Sequence, residues 1–339
     1  MERSFHSEIE ALKLGQGEIF QGEGILAVTK ALLQSGVTYV GGYQGSPISH
    51  LLDVMVQAKP YMDELGVHVE ACTNESSAAA MLAASIMYPV RGAVTWKSVV
   101  GTNVASDALS NLASPGVMGG AVIVVGEDYG EGASVIQERT HAFAMKSALW
   151  LMDPRPNLPT IVRMTEKAFE LSEASNTPVM IELRIRACHV QGSFVASDNI
   201  APAISSRLLQ QEAAGFSYDR LSHPPSTFRH EKHKYEVRMP AARRFIEEQI
   251  RSYEQKLAEA ENRLKEFRLR NMALLGAGTR DYISQIGESN EQLRQARLEL
   301  KEAEDSRDAL RQQLVGGQSD SELQPPPMAA TRRRPSPRR

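Results

Sequence analysis

The chain has little cysteine, few aromatic residues and no long apolar run, and each shortage excludes a class of protein. Only two cysteines, Cys72 and Cys188, occur in 339 residues. Two thiols so far apart make no disulfide framework, zinc site or iron–sulfur cluster, and they fit a reducing, cytoplasmic setting. No apolar run approaches the roughly 18 residues that a membrane span requires, and the polar opening MERSFHSEIEALK lacks a signal-peptide core. Charge of one sign is also lacking. Against 41 acidic residues stand 38 Lys and Arg, a formal net charge of −3, so nothing draws the chain as a whole to nucleic acid or an anionic membrane. The exception is local: Arg332 to Arg339 holds five arginines, read as a solvated tail. His223, His230 and His233 lie in a polar segment without ligand spacing, so no metal site is expected.

What is present changes character near Pro240. Upstream, short apolar, β-branched runs at Val37–Val40, Val67–Glu70, Ala93–Trp96, Ala121–Gly126 and Pro178–Arg184 alternate with helical stretches at Gly24–Gln34, Pro47–Ala58, Glu75–Met87, Asn103–Leu112, Ser134–Leu149 and Thr160–Ser175. Near-continuous apolar strands are those of a parallel sheet covered on both faces, and the alternation implies right-handed βαβ units. The expected fold is therefore α/β with a parallel sheet. Ligands in such folds sit beyond the carboxyl ends of the strands, which singles out Gly41–Pro47, Ala71–Ser76, Lys97–Thr102 and Glu127–Ala133. Residues 1–197 read as this domain, and 198–240 as a linker or irregular covering segment.

Downstream, Ile246, Ile250, Tyr253, Leu257, Ala260, Leu264 and Phe267 alternate by four and three, a heptad seam. The register breaks over 271–281 and resumes at Tyr282, Ile286, Ser289, Leu293, Ala296, Leu300 and Ala303. Residues 241–315 are thus expected to form an antiparallel α-helical coiled-coil hairpin. Residues 316–339 are expected to be disordered.

The strand-end loops carry chemistry. VGGYQGSPIS at Val40–Ser49 is a glycine-rich strand-to-helix turn but not GxGxxG, so it signals no dinucleotide site. CTNESSAAA at Cys72–Ala80 places Asn74 and Glu75 where a helix starts, a position that favours a carboxylate by the helix dipole alone. AVTWKSVVGTNVASDAL at Ala93–Leu109 offers Lys97, Asn103 and Asp107 as polar groups for a substrate. GGAVIVVGEDYGEG follows at Gly119–Gly132. Asp128, Glu131, Gln137 and Glu138 read as exposed or facing a subunit, and Cys188, beside His189, as a packed strand end.

In this order and spacing, these segments resemble the N-terminal pyrimidine-binding domain of the indolepyruvate-type α subunits, within the thiamine-diphosphate-dependent 2-oxoacid:ferredoxin oxidoreductases. The resemblance covers about residues 15–240. It implies oxidative decarboxylation of aryl 2-oxoacids to acyl-CoA, with electrons passing to ferredoxin. It assigns Glu75 the catalytic role of hydrogen-bonding the aminopyrimidine ring of the cofactor. Gly45, Ser46, Pro47, Asn74 and Asn103 join Glu75 in cofactor binding. After Lys97 the family's Lys-His-Val-Gly-Leu-Asn becomes Lys-Ser-Val-Val-Gly-Thr-Asn, with no histidine and one residue more. The Gly-Asp-Gly element that holds magnesium and the diphosphate in the family does not occur, nor do the cysteines of its 4Fe-4S clusters. The resemblance therefore implies thiamine diphosphate with Mg2+ bound from the pyrimidine side only. It also implies a partner carrying the diphosphate half, with ferredoxin and coenzyme A reached through the full complex, self-association through an uncovered apolar face, and no activity of the chain alone.

Residues 241–315 resemble the coiled coil of polysaccharide chain-length-determinant proteins, which makes a fusion near Ala242–Ile246 the expectation. The alternative reading of the whole is a non-enzymatic coiled-coil scaffold with a vestigial α/β domain.

Overall fold

Six short parallel strands form the centre of the fold, lying across the sheet in the order His68–Ala71, Tyr39–Gly42, Gly92–Lys97, Ala121–Glu127, Val179–Arg184 and Trp150–Met152. The computed structural model describes residues 4–128, 130, 139–204, 217–271, 291, 292, 294 and 295. Helix α1 (His6–Leu12) leads to β1 (Ile19–Glu23) and α2 (Gly24–Gln34). Then follow β2 (Tyr39–Gly42), α3 (Ser49–Gln57), α4 (Lys59–Leu65), β3 (His68–Ala71), α5 (Glu75–Met81) and α6 (Ala84–Met87). The other half of the sheet comes from β4 (Gly92–Lys97), α7 (Ser98–Ala113), β5 (Ala121–Glu127), α8 (Thr140–Ser147), β6 (Trp150–Met152), α9 (Leu158–Ser175) and β7 (Val179–Arg184). After α10 (Ile185–His189), β8 (Gln191–Val195) returns to pair antiparallel with β1 in a separate two-stranded ribbon, where Phe20 and Phe194 stack with ring centroids 4.8 Å apart.

The apolar runs explain the sheet. All seven residues of β5 are buried, and the strands on either side pair with it in parallel. Val122, Val124, Val179 and Ile181 pack beneath α2, α3 and α9, and Ile123, Val125 and Met180 pack on the other face with α5, α7 and α8. Helix α9 starts with Asn157, whose side chain accepts from Thr160 N, and ends at Asn176 in the left-handed conformation, as capping chemistry dictates.

The chain divides into two compact units, Met1–Tyr253 and Glu254–Arg339. In the first, a segment expected to be a linker or irregular cover contains helix α11 (Ser226–His233), a π-turn at Lys234–Arg238 and the start of α12 (Met239–Asn271). Arg238 fixes this segment: its guanidinium donates to Ala113 O and Ser114 O, both at 3.0 Å, and to Asn176 O at 3.3 Å. One buried cation thus serves the carbonyl ends of α7 and α9, where the helix dipole favours it. Lys30, also buried, donates to Leu14 O and to Asn199 Oδ1, and Asn199 in turn bonds Leu12 O and Tyr61 Oη.

In the second unit, α12 continues to Asn271 as a single helix. Leu257, Leu264 and Phe267 of the heptad seam are exposed along it. The second heptad run, apart from Glu291, Gln292, Arg294 and Gln295, lies outside the described residues, as do the tail at 316–339 and Glu131, Gln137 and Glu138. No described helix is long and apolar enough to cross a membrane.

Three expectations need correction. Ser98–Thr102 is the first turn of α7 and not a loop, because Val99 and Gly101 are buried against the sheet side. Cys188 is packed, but in the short helix α10; burial raises its thiol pKa. Asp128 is buried.

Candidate active site

The carboxyl ends of β2, β3, β4 and β5 lie at one end of the sheet, and Gly45, Glu75, Lys97 and Asp128 stand at or just beyond them. The turn after β2 is held by its backbone: Tyr43 N donates to Thr95 O at 3.0 Å and Ile48 N to Gly45 O at 2.9 Å. Its Ser46–Pro47 peptide is cis. A Cβ on Gly45 would lie 2.7 Å from Lys97 Cβ, so only glycine lets this turn close on the end of β4. Ser46 is exposed and Pro47 buried.

Asn74 caps α5, its Oδ1 accepting from Ser77 N at 2.8 Å. The next residue, Glu75, is 6% exposed. A Cβ on Gly101 of α7 would lie 3.0 Å from Glu75 Cγ and 2.6 Å from Trp96 Cδ1, so α5 and α7 approach closely because position 101 has no side chain. Trp96 is locked by its Nε1 donating to Thr102 Oγ1 at 3.1 Å. Among the described residues, nothing donates a hydrogen bond to the Glu75 carboxylate.

Lys97 and Asp128 form a second cluster. Lys97 Nζ lies 2.9 Å from Asp128 Oδ2, with the side chains 17% and 1% exposed. Next to them, Glu127 Oε1 accepts from Thr140 N at 3.0 Å and Thr140 Oγ1 at 3.1 Å, and Thr140 Oγ1 bonds Ser98 Oγ. Glu182 of β7 completes this buried acidic group.

The structure thus brings Gly45 to Lys97, and Glu75 to the Gly101 turn of α7. Asn103 is on the exposed side of α7, its Nδ2 donating back to Val99 O at 3.0 Å. Asp107 lies further along the helix, accepting from Asn111. Sequence reasoning missed Glu127 and Glu182. Their one signal is a carboxylate at the end of an otherwise apolar strand that must be buried on both faces.

A six-stranded parallel sheet flanked by helices, with polar residues at the strand ends, is an α/β arrangement that the chain shares with a solved 2-oxoacid:ferredoxin oxidoreductase. Among solved structures, the chain is similar to the 2-oxoglutarate:ferredoxin oxidoreductase from Magnetococcus marinus with 2-oxoglutarate, coenzyme A and succinyl-CoA bound. The TM-score is 0.50 at 12% identity, covering 68% of this chain and 45% of that one, a likeness of fold alone. Its curated homologues are indolepyruvate oxidoreductase subunits IorA. That of Methanothermobacter marburgensis is 29% identical over 195 residues, 58% of this chain and 31% of the relative. That of Thermococcus kodakarensis is 30% identical over 172 residues, 51% and 26% respectively. The chain spans about a quarter to a third of the length of these relatives. No family model matches the sequence.

Proposed function

We infer that the α/β unit supplies the pyrimidine-binding side of a thiamine-diphosphate-dependent 2-oxoacid:ferredoxin oxidoreductase of the indolepyruvate type. One observation carries this reading: Glu75, nearly buried at the start of α5, presents a carboxylate with no donor at the open end of a parallel sheet. That chemistry fits a ring nitrogen that must be held and protonated, as the cofactor's aminopyrimidine requires. When bound, thiamine diphosphate supplies the electron sink for decarboxylation.

The chain's own residues bind and orient. Glu75 holds a proton at the pyrimidine ring, and Asn74 fixes the helix start that aims it. Gly45, Ser46 and Pro47 form the turn against the cofactor, with Asn103 on the neighbouring helix. Lys97, steered by Asp128, is the cation beside the turn that meets the carboxylate of an aryl 2-oxoacid.

Without a Gly-Asp-Gly element, magnesium and the diphosphate are held by a second domain or subunit. Ferredoxin, coenzyme A and the 4Fe-4S clusters belong to the assembled complex, in the cytoplasm. The chain alone is inactive.

A calorimetric titration of thiamine diphosphate with Mg2+, with and without a diphosphate-domain subunit, tests this. Tight binding and 2-oxoacid-dependent viologen reduction are expected only in the mixture, with most of the rate lost in Glu75→Gln. An unchanged rate in Glu75→Gln rules out the assigned role, and activity of the chain alone refutes the need for a partner.

A further inference from the structure

Strands β5 and β7 pair in parallel, with Val125 opposite Glu182 and Glu127 opposite Arg184. Side chains alternate along each strand, so Glu127 and Glu182 are diagonal neighbours on the same face, the one covered by α7 and α8. They are 1% and 2% exposed, and the strand register makes the two carboxylates neighbours that raise one another's proton affinity. Glu127 Oε1 is taken by Thr140. Glu127 Oε2 and Glu182 Oε1 are buried and receive no hydrogen bond. Arg184 Nη2 stands 3.2 Å from Glu182 Oε1 but off the hydrogen-bond direction, and Arg184 is shared with Asp153 at 2.9 Å.

Two adjacent carboxyl groups in a dry setting do not both ionise. A proton held on one of them removes the repulsion between the neighbouring carboxylates and supplies a donor beside the unmet acceptor Glu127 Oε2. We propose that Glu127 and Glu182 share a single proton at neutral pH, forming a buried acid dyad that positions the Lys97–Ser98 corner of the site. Glu182 is the member that holds it. Its pKa is pushed up to about 8, first by burial and then by Glu127, with Arg184 opposing and Asp153 adding to the rise. These are the charged groups acting on it, from β5, its own strand and the segment after β6. Helix α8 contributes the amide and hydroxyl of Thr140, and α7 the hydroxyl of Ser98.

The positioning follows from connectivity. Glu127 anchors Thr140 and, through it, Ser98, while the next residue, Asp128, holds Lys97. An ionised pair would repel at the strand ends that fix this corner. The importance of that corner rests on the functional reading above; the shared proton does not.

Infrared spectroscopy of the folded chain, without cofactor or partner, reads the proton directly. Wild type at neutral pH is expected to show a protonated-carboxyl C=O band that fades as pH passes about 8. The same band should be missing from Glu182→Gln, which keeps the size of the side chain and offers an amide donor in place of the proton. Absence of the band from wild type at neutral pH overturns the proposal. So does its persistence in both Glu182→Gln and Glu127→Gln. In the assembled enzyme, Glu182→Gln is expected to remove the alkaline change of rate set by the dyad, a pH effect that a purely structural role would not show.

Discussion

Lys97 Nζ lies 2.9 Å from Asp128 Oδ2, tying the last residue of β4 to the residue after β5. These are the two central strands, so the ion pair bolts together the middle of the open sheet end. Asp128 is nearly dry while Lys97 keeps some contact with water. Removing one partner of a fully buried pair costs about 3–5 kcal/mol, because a bare charge stays behind. Here the cost is smaller, since Lys97 is partly solvated and Asp128 has further interactions. Lys97→Met is expected to lower stability by about 2 kcal/mol, read as a shift of the urea midpoint. An unchanged midpoint would mean that water already screens the pair.

Gly101→Ala sets two effects against each other. Alanine in place of a helical glycine gains up to about 1 kcal/mol in a helix interior, and less here in the first turn of α7. The new Cβ would sit 2.6 Å from Trp96 Cδ1 and 3.0 Å from Glu75 Cγ, and overpacking of this kind costs about 1–3 kcal/mol. Trp96 is locked by Thr102 and Glu75 by the start of α5, so neither yields freely. A net loss of stability with altered tryptophan fluorescence is the expected result, and a gain in stability would show that the α5–α7 contact is loose.

The central sheet was legible because strands buried on both faces must be almost wholly apolar, and the five strands read from the sequence all lie within two residues of those observed, four of them well buried. The fifth, Val67–Glu70, is less buried but sits in register with β2. Strand β6 was hidden because three half-buried residues carry no period, and the β1–β8 ribbon because glycine interrupts both strands. The start of α7 was hidden for another reason. Val99, Val100 and Gly101 are poor helix formers, and tertiary packing against Glu75 and Trp96 overrides them. At the strand ends, Gly45 and Glu75 lie in the two loops, Gly41–Pro47 and Ala71–Ser76, that the parallel-sheet rule singled out. The burial of Asp128, Glu127 and Glu182 could not be read, because an acid at a strand end reads as solvated until its partners are placed in space.

Arg238 is expected to be the anchor of the segment after residue 217. Its three carbonyl partners, Ala113, Ser114 and Asn176, belong to two helix ends, and Asn176 O also accepts from Val117 N at 3.0 Å, so Ala113 O and Ser114 O depend on the guanidinium most. Leaving buried acceptors unmet costs about 1–3 kcal/mol each when no water replaces the donor. Arg238→Met should therefore cost about 3 kcal/mol in all. Arg238→Lys should recover part of it, since one ammonium reaches fewer carbonyls. Protease digestion checks the same point independently: the Met variant is expected to be cut near residues 226–240 faster than wild type. Equal cutting rates would show that other contacts hold the segment.

The pH dependence of stability separates two buried groups. Glu182 has its pKa raised from 4.5 to about 8 in the folded chain, chiefly by burial. The folded state then keeps a proton that the unfolded state releases, so its contribution is present below 4.5 and is lost as pH rises towards 8. Lys30 runs the other way. Burial lowers its pKa from 10.5 to about 8, against the pull of Asp198 and Glu18. Below 8 the folded state carries the cost of a buried charge, and stability recovers as pH rises from 8 to 10.5, where the unfolded state binds more protons. The two windows adjoin without overlapping, so each variant should flatten one limb. Relative to wild type, Glu182→Gln is expected to remove a decline between 4.5 and 8, and Lys30→Met a rise between 8 and 10.5. Urea denaturation across the whole range measures both. If Glu182→Gln leaves the lower limb unchanged, the proton is not held by Glu182 in the folded state. If Lys30→Met leaves the upper limb unchanged, the bonds of the ammonium to Leu14 O and Asn199 Oδ1 fully offset its burial.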